Sequence, residues 1–155
     1  QRHDLQPGDR VILCGANCPE WVIAYMGAVV AGLCVVPIDP QTRTDEIRKL
    51  SRFADVKAVL AMRSCSANLV DTSAVELPPT YYIEACGEPV ARLLNGDDRI
   101  STEVEFATPE VRADMEASII FTVGMVAEPR GVTLTHGNFI TNLKFCRACE
   151  RPFNI

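Results

Sequence analysis

Five short apolar runs, rich in β-branched residues, recur along the chain. They are bounded by turn residues or by a change in the spacing of the apolar positions. They cover residues 9–14, 33–38, 56–61, 80–85 and 117–122. Runs of this length and composition are typical of strands that are buried on both faces of a sheet. The pattern therefore predicts a five-stranded sheet at the centre of the fold.

Three further segments place apolar residues at spacings of three and four, which predicts helices. They are residues 19–31, residues 44–54 with Thr44 as the N-cap, and a last helix capped by Thr135. The apolar positions of the last helix are Phe139, Ile140, Leu143 and Cys146. Strands that alternate with helices predict parallel βαβ units with right-handed crossovers, hence an α/β fold with a doubly wound, mostly parallel sheet and helices on both faces.

The remaining segments carry weaker patterns. Residues 64–76 are ambiguous and compatible with a short helix, and residues 89–94 predict a helical turn. Residues 95–112 are polar, contain turn signals and lack a sustained period, so we expect an exposed connection there.

One apolar run is long enough to raise the question of a membrane span. Residues 21–38 contain no charged side chain over 18 positions, which meets the length rule for a transmembrane helix. However, Pro19 is typical of a helix start and Gly32 of a helix end. Pro37 then closes a β-branched run of strand type. We therefore expect a buried helix followed by a buried strand, and no transmembrane segment.

Composition narrows the class of protein. The chain has 155 residues, of which 48% are hydrophobic and 23% charged, so we expect residues 1–155 to form a single α/β domain with one core. A net charge of −5 argues against nucleic-acid binding, which needs a concentrated Lys/Arg face. The seven cysteines are an odd number, which favours free thiols in a reducing cytoplasm over a disulfide framework.

The stretch from residue 118 to 140 has the outline of an anion-binding loop between a strand and a helix. Such a loop leaves backbone N–H groups free, and the helix dipole favours negative charge. Residues 124–131 read GMVAEPRG, which lacks the Gly-Lys-Ser/Thr of a Walker A loop, and no Gly-x-Gly-x-x-Gly occurs. From the residues alone, an ordinary strand-to-helix connection is the favoured interpretation.

The same stretch resembles the signature loop of the adenylate-forming superfamily, which reads Thr-Ser-Gly-Ser/Thr-Thr-Gly-x-Pro-Lys-Gly and is followed by Thr-His-x-Asn. The matching positions are Thr122, Gly124, Pro129, Gly131 and the run VTLTHGNF, with Arg130 in place of the lysine. Residues 5–50 independently resemble the opening of long-chain fatty-acid–CoA ligases. Two separate segments agree, and the resemblance covers nearly the whole chain.

This resemblance implies the N-terminal portion of a longer AMP-dependent acyl-CoA synthetase or ligase. In that family an acid and ATP form an acyl-adenylate and pyrophosphate, and coenzyme A then accepts the acyl group as a thioester. The implied ligands of the whole protein are ATP with magnesium, a fatty acid and coenzyme A, and a homo-oligomer is left open. The residues implied to contact ATP phosphates are Thr122, Gly124, Arg130 and Gly131. No catalytic residue and no metal ligand is expected within the chain, and we expect it to be inactive alone, because the family's later motifs lie beyond the matched part.

Four loop residues depart from the family pattern. Val123, Met125 and Val126 stand where hydroxyl side chains are expected, and Ala127 replaces a glycine. Because a hydrogen bond to a charged group contributes about 1.5–3 kcal/mol, these residues predict weakened ATP binding. Two alternatives therefore stay open, a non-catalytic homologue that keeps the fold and an unrelated flavodoxin-like interaction domain.

Other candidate residues have simpler interpretations. Cys146 and Cys149 form a Cys-x-x-Cys without a second pair, so structural cysteines are favoured over zinc or redox use. We expect His136, next to a helix cap, to make a local hydrogen bond rather than to perform acid–base chemistry. The acidic pairs are Asp97 with Asp98 and Glu103 with Glu105, and we expect them to be solvated.

Overall fold

The structure is a computed structural model that describes residues 5–69, 77–83, 109–122 and 129–148. The strands are β1 (Arg10–Cys14), β2 (Cys34–Ile38), β3 (Val56–Met62), β4 (Thr80–Ile83), β5 (Glu116–Thr122) and β6 (Arg130–Thr135). The helices are α1 (Pro19–Val30), α2 (Thr44–Phe53) and α3 (His136–Ala148), and a 3-10 helix covers Arg63–Leu69.

The six strands form one sheet in the order β4-β3-β1-β2-β5-β6. Strands β1 to β5 pair in parallel, and β6 pairs antiparallel with β5. The chain moves from β1 to β2 in one direction and then crosses back over β1 to reach β3. Right-handed crossovers in opposite directions place α1 and α2 on opposite faces of the sheet. The predicted α/β class with a doubly wound, mostly parallel sheet is confirmed.

The core lies around the central strands, where apolar runs are buried from both faces. The side chains of Val11, Ile12 and Leu13 on β1 are fully buried, as are Val35 and Val36 on β2. This burial explains why these strands read as continuous apolar runs instead of alternating ones. The five predicted strands are present, with ends that differ by one or two residues.

The long apolar run divides as expected between α1 and β2. Within the described ranges, the molecule has no helix with the length and hydropathy needed to cross a bilayer.

The predicted cap of α2 is wrong by one residue. Thr44 is the first helical residue, and Arg43 occupies the N-cap in an extended conformation. The backbone N–H of Arg43 donates to Oε2 of Glu46 at 3.3 Å. The carboxylate of Glu46, at the third helical position, thus accepts a hydrogen bond from the backbone N–H of the N-cap residue, as in a capping box.

The cap of α3 is confirmed, but its apolar face is not buried. The backbone N–H of Asn138 donates to Oγ1 of Thr135 at 3.2 Å, and the N–H of Thr135 donates to Oδ1 of Asn138 at 2.9 Å. These are the reciprocal bonds of a capping box. The apolar side chains of this helix are nevertheless exposed, with Leu143 at 69% and Phe145 at 68%. Among the described elements, α3 contacts mainly β6.

Several predictions fall outside the described residues. They are the helical turn at 89–94, the connection at 95–108 and the acidic pairs within it. The 3-10 helix over Arg63–Leu69 accounts for the start of the ambiguous segment at 64–76.

Candidate functional site

The loop that resembles a phosphate-binding signature connects two antiparallel strands. Thr122 at the end of β5 pairs with Arg130 at the start of β6, and Oγ1 of Thr122 donates to the carbonyl of Arg130 at 3.5 Å. The prediction of a strand, a loop and then a helix is therefore wrong, because a six-residue strand lies between loop and helix. Of the four predicted site residues, Thr122, Arg130 and Gly131 come together at the base of the hairpin. Gly124 lies outside the described residues, as do the four that depart from the family pattern.

The dipole of α3 does not act on this loop. Strand β6 runs back along the sheet, and its last residue, Thr135, pairs with Glu116 at the start of β5. At about 3.4 Å per residue, the six residues of β6 separate the start of α3 from the loop by roughly 20 Å.

The N-terminal amides of α3 are also already bonded. The N–H of His136 donates to the carbonyl of Met115 at 3.1 Å, and that of Gly137 to the carbonyl of Ala113 at 2.8 Å. Together with the capping bond of Asn138, these bonds occupy the donors that an anion would need. The sequence-based expectation that the helix start assists phosphate binding is wrong for that reason.

Gly131 has a packing role that the sequence did not reveal. A Cβ at this position would lie 2.8 Å from Cγ2 of Ile119 and 3.1 Å from Cε1 of Phe121. The glycine lets β6 lie close to these two side chains of β5, which fixes the stem of the loop. It contributes to the site through backbone placement.

Two polar contacts hold β5 in position. Oγ of Ser118, which is buried, donates to the carbonyl of Val35 on β2 at 2.8 Å. At the amino end of the sheet, the guanidinium of Arg10 donates to Oε2 of Glu116 at 2.9 and 3.0 Å and to the carbonyl of Ala54 at 3.1 Å. Strand β5, and with it Thr122, is thereby tied to β1, β2 and α2.

The chemistry available at the hairpin base is that of an exposed cation beside a hydroxyl. Arg130 and Thr122 are both exposed, and Arg130 forms no ion pair with the residues that the structure describes. Both lie at the carboxyl ends of the parallel strands, the edge at which open α/β sheets bind ligands. A guanidinium and a hydroxyl both donate hydrogen bonds to phosphate oxygens, so these residues fit a nucleotide phosphate.

The remaining candidates lie away from this edge. The expected local hydrogen bond of the His136 side chain is not seen, since its Nε2 is buried with no partner among the described atoms and its backbone N–H donates to the distant Met115. Cys14, Cys18, Cys34, Cys65 and Cys146 are free thiols. Cys149 is outside the described residues, so the Cys-x-x-Cys stays untested. No group of His, Cys, Asp and Glu in the described segments is arranged to hold a metal ion.

Burial controls the chemistry of two central thiols. Desolvation raises the pKa of Cys14 from 9.0 to about 12, with smaller contributions from the neighbouring Cys65 and from Asp39. Burial likewise raises the pKa of Cys34 to about 11, and Glu116 adds to the effect. Both thiols are therefore neutral at physiological pH and are poor nucleophiles.

Sequence reasoning missed two features near the site. Strand β6 carries the run VTLT, a β-branched alternation that is itself a strand signal. The second feature is a cation–π contact, in which the guanidinium of Arg63 lies 5.3 Å from the ring centre of Tyr82 at the carboxyl ends of β3 and β4. No sequence spacing signals that pair, because Arg63 begins the 3-10 helix after β3 while Tyr82 lies on β4.

The chain is similar to known proteins in sequence and in fold. The family model described as AMP-binding enzyme matches residues 1–154. The chain is 30% identical over 134 residues to the AMB antimetabolite synthetase AmbB of Pseudomonas aeruginosa, covering 86% of this chain and 10% of that protein. It is 27% identical over 140 residues to the crotonobetaine/carnitine–CoA ligase of Salmonella paratyphi B, covering 86% of this chain and 27% of that protein.

The fold is similar to that of a solved ligase. The fatty acyl-adenylate ligase from L. pneumophila, solved in complex with acyl adenylate and pyrophosphate, superposes with a TM-score of 0.68 at 21% identity. The match covers 91% of this chain and 23% of that one. This chain thus spans about a quarter or less of the length of these proteins.

Proposed function

Because the chain belongs to the family of AMP-binding enzymes, we propose that it forms the part of an adenylate-forming ligase that holds the phosphates of ATP. The single observation that carries the proposal is the pair of exposed residues, Thr122 and Arg130, at the base of the loop over residues 123–129. In this proposal Gly124 and Gly131 contribute through their backbone.

The proposed reaction of the whole protein has two steps. A carboxylate oxygen of the acid attacks the α-phosphorus of ATP, and the bond to pyrophosphate breaks to leave an acyl-adenylate. The thiol of coenzyme A then attacks the acyl carbon, forms a thioester and releases AMP. Magnesium supplies charge neutralisation of the phosphates when it is bound. The acid is proposed to be a fatty acid, in keeping with the resemblance of residues 5–50 to fatty-acid ligases.

Within this chain, Arg130 is the group that recognises charge. Its guanidinium presents donors in a planar fork that suits phosphate oxygens, and its position on β6 opposite Thr122 is fixed by the ladder with β5. Thr122 adds one hydroxyl donor. Neither residue moves a proton or forms a covalent bond in the proposed reaction.

The observation that favours a second function is the composition of the loop. Three apolar residues and one alanine replace the expected hydroxyls and glycine at positions 123 and 125–127. A non-catalytic homologue that retains the fold is therefore the second candidate. In both cases we infer that the 155 residues are inactive alone, and the free thiols favour a cytoplasmic location.

The test is acid-dependent ATP–pyrophosphate exchange by the full-length protein with a series of fatty acids. We expect weak exchange that rises at least tenfold when the loop is changed at four positions, because each restored hydroxyl regains a charge-assisted bond. The changes are Val123→Ser, Met125→Thr, Val126→Thr and Ala127→Gly.

Arg130→Ala in the restored protein is expected to remove the gain, since the cation and the hydroxyls act on the same phosphates. Arg112→Ala is the matched control, because Arg112 is exposed and pairs with Asp114 at the other end of β5. Absence of exchange with all acids, before and after restoration, would favour the non-catalytic homologue. Ordinary exchange in the unmodified protein would mean that the backbone amides suffice.

A further inference from the structure

A cleft lies at the amino ends of the strands, on the edge opposite to the loop at 123–129. Its volume is about 450 Å³, which falls within the range of about 300–1,000 Å³ found for small-molecule sites. It is lined by the last turns of α2, the start of β3 and the segment before β4. The lining residues that matter here are Arg48, Ser51, Arg52, Lys57, Leu77 and Pro79.

The first sign of a ligand is an unsatisfied hydroxyl. Ser51 is 6% exposed, and its Oγ has no hydrogen-bond partner among the described atoms. A buried hydroxyl without a partner is costly, and it is uncommon enough to require an explanation. Ser51 lines the cleft while its Oγ is buried, so a bound group reaches the hydroxyl through a change of the Ser51 rotamer.

The second sign is positive charge in a chain that is otherwise acidic. Arg48, Arg52 and Lys57 line the cleft, and Asp55 is the acidic residue among the lining residues. Nζ of Lys57 lies 2.9 Å from both carboxylate oxygens of Asp55, so these two charges offset each other. The lining thus contains three cationic side chains and one carboxylate on a chain of net charge −5, and a concentration of cations attracts anions.

The side chain of Arg52 is the donor best placed for an anion. It is exposed on the last turn of α2 and forms no ion pair or hydrogen bond within the described segments. The carbonyl end of α2 contributes a partial negative charge of about one half, which is smaller than the unit charge of Arg52. Arg52 and Ser51 both line the cleft, so it offers an oxyanion a guanidinium and a hydroxyl.

The other lining residues are apolar. They are Val56, which is 7% exposed, and Leu77, Pro78 and Pro79. Proline and leucine carry no side-chain donor, so they favour the carbon body of a ligand over a bare inorganic ion. The charged and apolar lining residues together fit a molecule with one charged end and one apolar end.

We propose that this cleft is a binding site for a small organic phosphate. The phosphate contacts Arg52 and the hydroxyl of Ser51, and the organic part lies on Leu77, Pro78 and Pro79. The site is separate from the proposed ATP contacts, which lie at the carboxyl ends of the strands.

Phenyl phosphate is a suitable probe, since it joins a phosphate to an apolar ring. Titration followed by ¹H–¹⁵N NMR is expected to give saturable shifts at residues 48–57 and at Leu77. Inorganic phosphate and phenol, which each carry one part of the probe, are expected to bind at least about tenfold more weakly because each engages only the charged or only the apolar lining residues.

Arg52→Gln is expected to weaken phenyl phosphate binding by about tenfold or more, because it removes a charged donor. Lys49→Gln is the matched control, since Lys49 is exposed on the same helix and does not line the cleft. This control is expected to bind phenyl phosphate with unchanged affinity.

Ser51→Ala separates a ligand role from a structural one. It is expected to weaken phenyl phosphate binding severalfold while raising the melting temperature of the free protein, because an unsatisfied buried hydroxyl is removed. Shifts that do not saturate, or equal losses in Arg52→Gln and Lys49→Gln, would overturn the proposal. A Ser51→Ala variant with unchanged affinity would do the same for the hydroxyl contact.

Discussion

At the scale of single residues, Gly131 fixes the stem of the candidate phosphate loop by its lack of a side chain. Gly131→Ala would force a methyl group against Ile119 and Phe121, the nearest contact being 2.8 Å. We expect a loss of about 1–3 kcal/mol in the free energy of unfolding, the range for overpacked sites. Urea denaturation followed by circular dichroism measures it.

Gly27→Ala provides the matched control for that experiment. Gly27 lies within α1, where an added Cβ meets nothing within 4 Å. In a helix interior, alanine is more stable than glycine by about 0.5–1 kcal/mol. This variant is therefore expected to be more stable than the parent. Destabilisation of both variants to the same extent would contradict the packing role of Gly131.

The buried thiols predict a loss of stability in alkali. The pKa of Cys14 is raised to about 12 and that of Cys34 to about 11 in the folded chain. Unfolding exposes thiols that ionise near 9.0, so above that pH the unfolded state binds fewer protons than the folded state. The contribution of the neutral thiols to the free energy of unfolding is therefore fully present below about pH 9 and is lost as the pH rises towards 12. Thermal melts between pH 7 and 11 measure the effect, and Cys14→Ala is expected to flatten the profile.

At the scale of elements, a buried side-chain bond joins β5 to β2 between the two halves of the sheet. Oγ of Ser118 donates to the carbonyl of Val35 at 2.8 Å, at the position where β5 and β2 are in register. Ser118→Ala is expected to cost about 1–3 kcal/mol, because a buried acceptor loses its partner. Amide hydrogen exchange in β5 should accelerate with it. Thr133→Ala, which removes an exposed hydroxyl from neighbouring β6, is expected to leave the exchange unchanged.

The elements that were predictable from the sequence are those whose signals are local. A β-branched run predicts strand β1, and helical spacing with Pro19 at the helix start predicts helix α1. Strand β6 was missed although VTLT alternates, because its neighbours Pro129 and Gly131 favour a loop. Such a segment forms a strand only when it pairs with a partner, which here is β5. The sequence of one segment does not specify that pairing.

The candidate site, too, was predictable only where its signals are local in the sequence. The loop motif pointed to Thr122 and Arg130, whereas their pairing across a hairpin depends on a strand that was not predicted. The Ser51 cleft gave no sequence signal, because a serine on an amphipathic helix is ordinary. Ser51 stands out only in the structure, where it is buried and lines a cleft together with residues near 77 that are distant in the chain.

At the scale of the whole molecule, two helices present apolar surface. Helix α1 exposes Val22, Ile23, Met26 and Val30, each close to half exposed, and α3 exposes Leu143 and Phe145. Apolar surface of this extent typically marks an interface. We expect the isolated 155-residue chain to bind the dye ANS and to self-associate in analytical ultracentrifugation.

Val22→Lys combined with Met26→Lys is expected to weaken that association, since both side chains are exposed on the same side of α1. Gln41→Lys, an exposed change of charge elsewhere, is the control. A monomeric parent chain that does not bind ANS would contradict this prediction.

The bond between Ser118 and Val35 joins residues 83 positions apart, whereas Thr122 and Arg130 at the hairpin base are 8 positions apart. This difference has a kinetic meaning. Short-range pairing forms quickly, while distant pairing must first close a long loop. We therefore expect strands β5 and β6 to form a hairpin early and β1 to β3 to assemble through their own crossovers, with the docking of β5 onto β2 as the slow step. Mutation of Ser118 should then slow folding as well as speed unfolding, because its bond belongs to that docking step.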